Sequence, residues 1–311
     1  MSHAAGIDVG GTKCLGVVID DDGAIVRETR HPTPSGGDAL LDVLARIVEE
    51  LAPVDVLGIG VPGLVTRAGT LRAAPNIAGI DDLAIATRLG QRLGIVVEVD
   101  NDATSAAAAE WQLGAGRGAD DMVMVTLGTG IGGGLVLGGR LQRGANGFAG
   151  EIGHMVVDPE GEPCPCGRRG CWERYASGSG LGRMAQEAAA AGRLRDVLDA
   201  VGGVGNVGDI RGEHVQASAE AGDSDALAVI DAFARWVALG LVNLTNILDP
   251  SLFVLGGGLA EAGELYLGPI RSWFERLLYA PEQRPHPALA FARLGPEAGA
   301  IGAALLPRVH A

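Results

Sequence analysis

Several short segments of this 311-residue chain carry chemically capable residues at useful spacing. In Asp8-Val9-Gly10-Gly11-Thr12-Lys13, a carboxylate at a strand end precedes a glycine doublet, a hydroxyl and an ammonium. Glycines in a tight hairpin bare backbone N–H groups that can cradle phosphate oxygens. Thr12 and Lys13 add side-chain donors, and Asp8 could orient a magnesium ion or its water. Lys13 is the only lysine among 24 basic residues, so an ammonium stands out against an arginine-rich background. The segment is not a P-loop, because Thr12 stands where the lysine would follow Gly11. An ordinary glycine hairpin is the competing reading.

Gly128-Thr129-Gly130-Ile131-Gly132-Gly133 matches G-x-G-x-x-G letter for letter. A dinucleotide fingerprint needs a helix to start at those glycines. Gly134-Leu135-Val136-Leu137 reads instead as strand, so a second phosphate-binding hairpin fits better. Asn101-Asp102 follows an apolar strand and opens an alanine-rich helix. A carboxylate there sits at the carboxyl end of a strand, where open α/β sheets bind ligands. Helix capping is the commoner use of that pair.

The strongest signal is His154-x9-Cys164-x-Cys166-x4-Cys171. One imidazole and three thiolates make a complete tetrahedral set for zinc, with no open position, which favours a structural metal. Glu151 and Glu173 flank this knot, and such acceptors suit a neutral sugar whose hydroxyls must each be paired. Salt bridges to Arg168, Arg169 and Arg174 are the alternative. Gly256-Gly257-Gly258 follows a strand and would let backbone lie flat against a bound group such as a nucleoside; a plain strand-to-helix turn serves equally well.

The elements that must position these residues follow from the apolar pattern. Strands are expected over Ala4 to Val9, Cys14 to Ile19, near Ile25, and over Val56 to Val61, Val96 to Val99, Met122 to Leu127, Gly133 to Leu137, Leu252 to Leu255 and Ala288 to Phe291. Helices are expected over Asp38 to Leu51, Asp82 to Leu93, Asn101 to Trp111, Ser177 to Ala191, Ala226 to Ile247, Gly263 to Leu278, and from Pro296 onward. Paired hairpins followed by alternating helix and strand in both halves predict two related α/β lobes. The junction is placed at Gly114 to Gly118, giving lobes over 1–114 and 115–311, with the last helix free to pack back on the smaller one. Met122 to Gly139 is charge-free for 18 residues, but its seven glycines divide it into a hairpin rather than a membrane span. Trp236 to Leu248 reads as a buried helix. A net charge of −14 argues against nucleic acid or anionic membrane as partners. The leading residues show no basic-then-apolar pattern, so a cytoplasmic location is expected.

These motifs, in this order, resemble the ROK family (repressors, open reading frames and kinases), in particular its glucokinases. The resemblance runs from Asp8 to about Ile301 and also draws on Ala149-Gly150-Glu151-Ile152-Gly153-His154 and Cys164-x-Cys166-Gly167-x-x-Gly170-Cys171-Trp172-Glu173. It implies two actin-like, ribonuclease-H-like ATPase lobes with a cleft between them and a zinc knot inserted in the larger. It implies ATP-dependent phosphorylation of glucose at the 6-hydroxyl, with Asp102 as general base. Asn76, Asn101, Glu151, His154 and Glu173 would hold the sugar. Gly10, Gly11, Thr12, Lys13, Thr129 and Gly130 would hold ATP phosphates, with magnesium near Asp8 and adenosine against Gly256, Gly257 and Gly258. Zinc on His154, Cys164, Cys166 and Cys171 would be structural, and a homodimer or homotetramer is expected. A kinase for N-acetylmannosamine, N-acetylglucosamine or another hexose is the nearer alternative, and a non-catalytic sugar sensor the remoter one. The family's repressors carry a DNA-binding domain ahead of the first strand, where this sequence has three residues.

Overall fold

The structure, a computed structural model, describes residues 3–74, 77–259 and 263–310. The chain divides into two compact units, one comprising Met1–Met124, Gly132–Gly150 and Ala292–Ala311, the other Val125–Ile131 and Glu151–Phe291.

In the first unit the elements run β1 (Ala4–Val9), β2 (Lys13–Ile19), β3 (Ile25–Pro32), α1 (Gly37–Glu50), β4 (Val56–Val61), β5 (Leu64–Val65), β6 (Leu71–Ala73), β7 (Asp81–Leu83), α2 (Ile85–Leu93), β8 (Val96–Asn101) and α3 (Asp102–Gln112). Five of these strands form one sheet in the order β3-β2-β1-β4-β8. β1 to β3 pair antiparallel, while β1, β4 and β8 run parallel. Ile7, Val9, Leu57 and Ile59 are fully buried, as strands covered on both faces require. β3, at the edge, alternates half-buried and exposed positions, the pattern of a strand with one wet face. α1 closes one side of the sheet with Leu40, Leu44 and Ile47.

Next come β9 (Met122–Leu127) and β10 (Ile131–Val136), whose connecting tip belongs to the second unit while the body of β10 belongs to the first. The second unit continues with α4 (Glu173–Ala176), α5 (Gly178–Ala190), α6 (Arg195–Ala200), α7 (Gly212–Glu220), α8 (Ser224–Leu248), β11 (Leu252–Gly256), α9 (Glu264–Leu277) and β12 (Ala288–Phe291). The second sheet has the order β10-β9-β11-β12. α8 is long and apolar enough to cross a membrane, but 56% of its most apolar window is buried inside the protein. Phe233, Val237 and Leu241 point into the unit, as expected for a buried helix. Gly240 admits the Trp172 indole so closely that a Cβ there would fall 1.9 Å from Trp172 Cε2. That indole is fully buried and donates its N–H to Trp236 O at 2.7 Å. Tyr175 stacks on Trp236 with ring centroids 4.2 Å apart.

The chain ends in α10 (Ala298–Val309), which returns to the first unit and packs on β1, β4 and α3. Three glycines set this approach. A Cβ on Gly6 would fall 2.0 Å from Ala300 O, one on Gly58 1.7 Å from Ala303 O, and one on Gly302 1.7 Å from Ser105 O. Backbone therefore lies directly on backbone, which no larger residue permits.

Two expectations need correction. Asp82 is not helical: Asp81–Leu83 is strand β7, paired with β6, Asp82 takes a φ of 49°, and α2 begins at Ile85. The last helix starts at Ala298, because Gly295–Glu297 forms a separate 3-10 turn. The small sheet β5-β6-β7 and the helices α6 and α7 are additions to the sequence reading.

Candidate active site

In the first unit, β1 and β2 carry the Gly10–Lys13 turn. Gly10 N–H donates to Lys13 O at 2.9 Å, closing it. Gly11, Thr12 and Lys13 are exposed, so their donors face solvent. Thr33, just past β3, ties this turn down from the side. Its hydroxyl donates to Gly10 O at 2.7 Å and its N–H to Thr12 O at 3.1 Å. Nothing in the motif reading singles out Thr33; it comes into place because Lys13 pairs with Pro32 in the β2–β3 register.

Asp8 lies at the end of β1. Burial, together with the charge of Asp102 and against the pull of Lys13, raises its pKa from the ordinary 3.8 to about 7. Gly299 of α10 is part of its surroundings: a Cβ there would fall 2.8 Å from Asp8 Oδ1.

At the β8–α3 junction Asn101 and Asp102 take different places in the helix start. Asn101 is the N-cap, its Oδ1 accepting from Ala103 N at 2.9 Å and Thr104 N at 3.2 Å. Its Nδ2 donates to Gly63 O at 3.3 Å, leaving one amide hydrogen for a ligand. Asp102 is the first helical residue, with Oδ1 accepting from Ala103 N at 2.8 Å. Burial raises its pKa despite that hydrogen bond, which gives the carboxylate more basic character than an exposed aspartate.

In the second unit His154, Cys164, Cys166 and Cys171 converge, with one ligand atom from each within 4.8 Å of the others. Tetrahedral zinc–sulfur bonds of about 2.3 Å require sulfurs roughly 3.8 Å apart. Cys166 Sγ and Cys171 Sγ stand at 3.6 Å, and Cys164 Sγ lies 4.0 Å from His154 Nδ1. The set therefore fits zinc. His154 directs Nδ1 at the cysteines, while Nε2 lies 3.9 Å from Glu151 Oε2.

Glu173 opens α4, and its Oε2 accepts the Ile131 N–H at 3.0 Å. A Cβ on Gly130 would fall 2.3 Å from the same oxygen, so the glycine is what lets this carboxylate reach the hairpin tip. The tip is held further by Gly178 N–H on Gly128 O and by the Ser179 hydroxyl on Thr129 O, both at 2.8 Å.

Beside it lies a cavity of about 730 Å³, entirely within the second unit. Thr129 and Gly258 line it, joined by Ser179, Gln186, Arg211 and Gln216, which the sequence reading did not single out. Gly256 and Gly257 do not line it. Gly257 instead has a φ of 92° and passes so close to β9 that a Cβ would meet Leu127 O at 2.4 Å. Asn76, expected at the sugar, lies outside the described residues.

Comparison with known proteins places this geometry. The model of the ROK family matches residues 4–309. A glucokinase from Streptomyces coelicolor is 40% identical, with 99% of this chain and 98% of that protein aligned. An N-acetylmannosamine kinase from Citrobacter koseri is 34% identical over 96% of this chain and 97% of its own length. Among solved structures, a ROK family glucokinase from Streptomyces griseus in complex with glucose and AMPPNP superposes with a TM-score of 0.84 at 40% identity, covering 98% of this chain and 99% of that one. The actin-like α/β fold expected from the motifs is thus the fold observed, and the chain belongs to the ROK family.

Proposed function

We propose that this protein transfers the γ-phosphoryl group of ATP to the 6-hydroxyl of glucose. The observation that carries the reading is the full-length match to a glucokinase seen with glucose and AMPPNP. The N-cap position falling on Asn101 rather than Asp102 supports it from the geometry.

In this reading Asp102 takes the 6-hydroxyl proton as that oxygen attacks the γ-phosphorus in line. The new O–P bond forms while the bond to the β-phosphate oxygen breaks, and ADP leaves with the electron pair. The exposed donors of Gly10, Gly11, Thr12 and Lys13, with those of Thr129 and Gly130, hold the phosphates. Asn76, Asn101, Glu151, His154 and Glu173 pair with the sugar hydroxyls. The cavity beside Gly258 takes the nucleoside end; Gly256 and Gly257, which do not line it, carry the chain from β11 to Gly258. Magnesium, held near Asp8, would supply neutralising charge to the β- and γ-phosphates. Zinc on the Cys3His set would fix the His154 ring through Nδ1, leaving Nε2 for a hydroxyl. The reaction is assigned to the cytoplasm.

The experiment is coupled ADP release from ATP against glucose, mannose, fructose, N-acetylglucosamine and N-acetylmannosamine. Preference for glucose is expected. The N-acetylmannosamine kinase relative favours a second reading, in which an acetamido sugar is preferred with the same base and zinc set. Silence on every sugar would refute both. Asp102→Asn should lose turnover while still binding glucose.

A further inference from the structure

Beneath Asn101-Asp102 lies a group of charges centred on a buried carboxylate, which takes no part in that reaction. Asp100 is 1% exposed. Its Oδ1 accepts the Asn101 N–H at 2.8 Å, and its Oδ2 lies 2.8 Å from Arg143 Nε and 3.1 Å from His310 Nε2. These last two are ion-pair contacts whose angles miss hydrogen-bond geometry. Arg143 comes from the segment after β10, and its Nη2 donates to Val99 O at 3.1 Å and Thr66 O at 3.5 Å. His310 follows α10, with Nδ1 3.2 Å from Glu98 Oε2. Burial by itself would lower the His310 pKa, but contacts with Asp100 and Glu98 raise it above its usual value, against the opposing charge of Arg143. With the imidazole charged, two carboxylates face two cations and the cluster is neutral.

Such a cluster is a poor route to stability, because desolvation cancels most of the attraction and apolar residues of similar volume would serve as well. What it achieves is geometric. Its carboxylates, a carbonyl and an N–H all belong to residues 98–101, the last four residues of β8 before Asp102. Arg143 grips the backbone at Val99, and Asp100 grips it at Asn101, on either side of one peptide group's length.

We propose that Arg143 and His310, acting through Asp100, are positioning residues that hold the carboxyl end of β8 and thereby set the aim of the Asp102 carboxylate. This rests on Asp102 being the base. Neither cation touches a reacting atom, so their removal should impair turnover without weakening nucleotide binding, whose donors sit on other segments.

The test uses the full-length protein with Arg143→Lys, Arg143→Met and His310→Gln, measured beside Asp102→Asn. Arg143→Lys keeps the charge but loses the two-pronged contact, and His310→Gln keeps a donor at the less constrained chain end, so both should fold. Circular dichroism and thermal melting establish that they do. A small misplacement of a catalytic group costs up to about 100-fold. The expected result is a kcat reduced roughly 10- to 100-fold, with the ATP KM and the AMPPNP dissociation constant within about twofold of the parent. Arg143→Lys should retain more activity than Arg143→Met. Parental kcat in folded Arg143→Lys and His310→Gln would overturn the proposal. So would losses of kcat that merely track the folded fraction. Parental turnover in Asp102→Asn would overturn the base assignment itself, a distinct result read from a distinct variant.

Discussion

Neutralising Asp8 should stabilise the protein while disabling it. Its carboxyl is raised from 3.8 to about 7 in the folded chain. The folded state therefore binds this proton more tightly than the unfolded state does. The contribution of this group is most favourable below pH 4, where both states are protonated, falls as pH rises through 4 to 7, and then levels off. At about 1.36 kcal/mol per pH unit, a span of roughly three units amounts to about 4 kcal/mol at most. Part of that penalty is the repulsion between Asp8 and Asp102, which Lys13 only partly offsets. Asp8→Asn keeps the shape and removes the charge. Above pH 8 and without magnesium or nucleotide, it should be more stable than the parent by about 2–4 kcal/mol, or roughly 3–6 °C in melting temperature. At pH 4.5 most of the gap should have closed, leaving about 1 kcal/mol between the two proteins. Thermal melts across pH 4.5 to 8.5 measure this directly. Parallel pH profiles for parent and variant would refute the reasoning, because the cost of holding a charged carboxylate there would then be absent.

Other substitutions test other parts of the structure. Gly58→Ala places a methyl 1.7 Å from Ala303 O and must push α10 off the sheet, costing about 3 kcal/mol or more in urea unfolding; unchanged stability would deny the close packing. Cys166→Ser should lose zinc by elemental analysis and destabilise the second unit, since structural zinc contributes folding energy; full zinc content would remove this residue from the set. Thr33→Val deletes the hydroxyl's bond to Gly10 O, a neutral hydrogen bond of about 1 kcal/mol, and should raise the ATP KM roughly fivefold while sparing the glucose KM. Thr33→Ser should restore it, and equal behaviour of both variants would count against the role.

Much of the sheet was legible because its strands are short apolar runs between glycines. β1, β4, β9 and β12 have the expected bounds, and β11 extends one residue further. In β1, β4 and β9, burial on both faces leaves no alternation to misread. β5, β6 and β7 have two or three residues each, too few to carry a period, and Asp81-Asp82 resembled a helix start until tertiary pairing made it strand. The zinc set was legible because cysteine chemistry is specific and its ligands lie within 18 residues of sequence. Thr33 and Arg143 were not, since their partners Gly10 and Asp100 depend on strand register and on a chain path that sequence spacing does not encode. The same holds for the gathering of 132–150 and 292–311 into the first unit.

The return of α10 has a consequence for synthesis. The second unit draws nearly all of its chain from one continuous stretch, Glu151–Phe291, whereas the first needs Ala292–Ala311 to cover β1, β4 and α3. Nearly 200 residues separate the end of α3 at Gln112 from the end of α10 at Val309. At about 5–20 residues per second, the backbone-lined groove over Gly6 and Gly58 stays open for roughly 10 to 40 s while the ribosome works. The half of the protein made first is thus the half finished last. A nascent chain stalled before Ala298 leaves Gly6 and Gly58 without the helix that covers them.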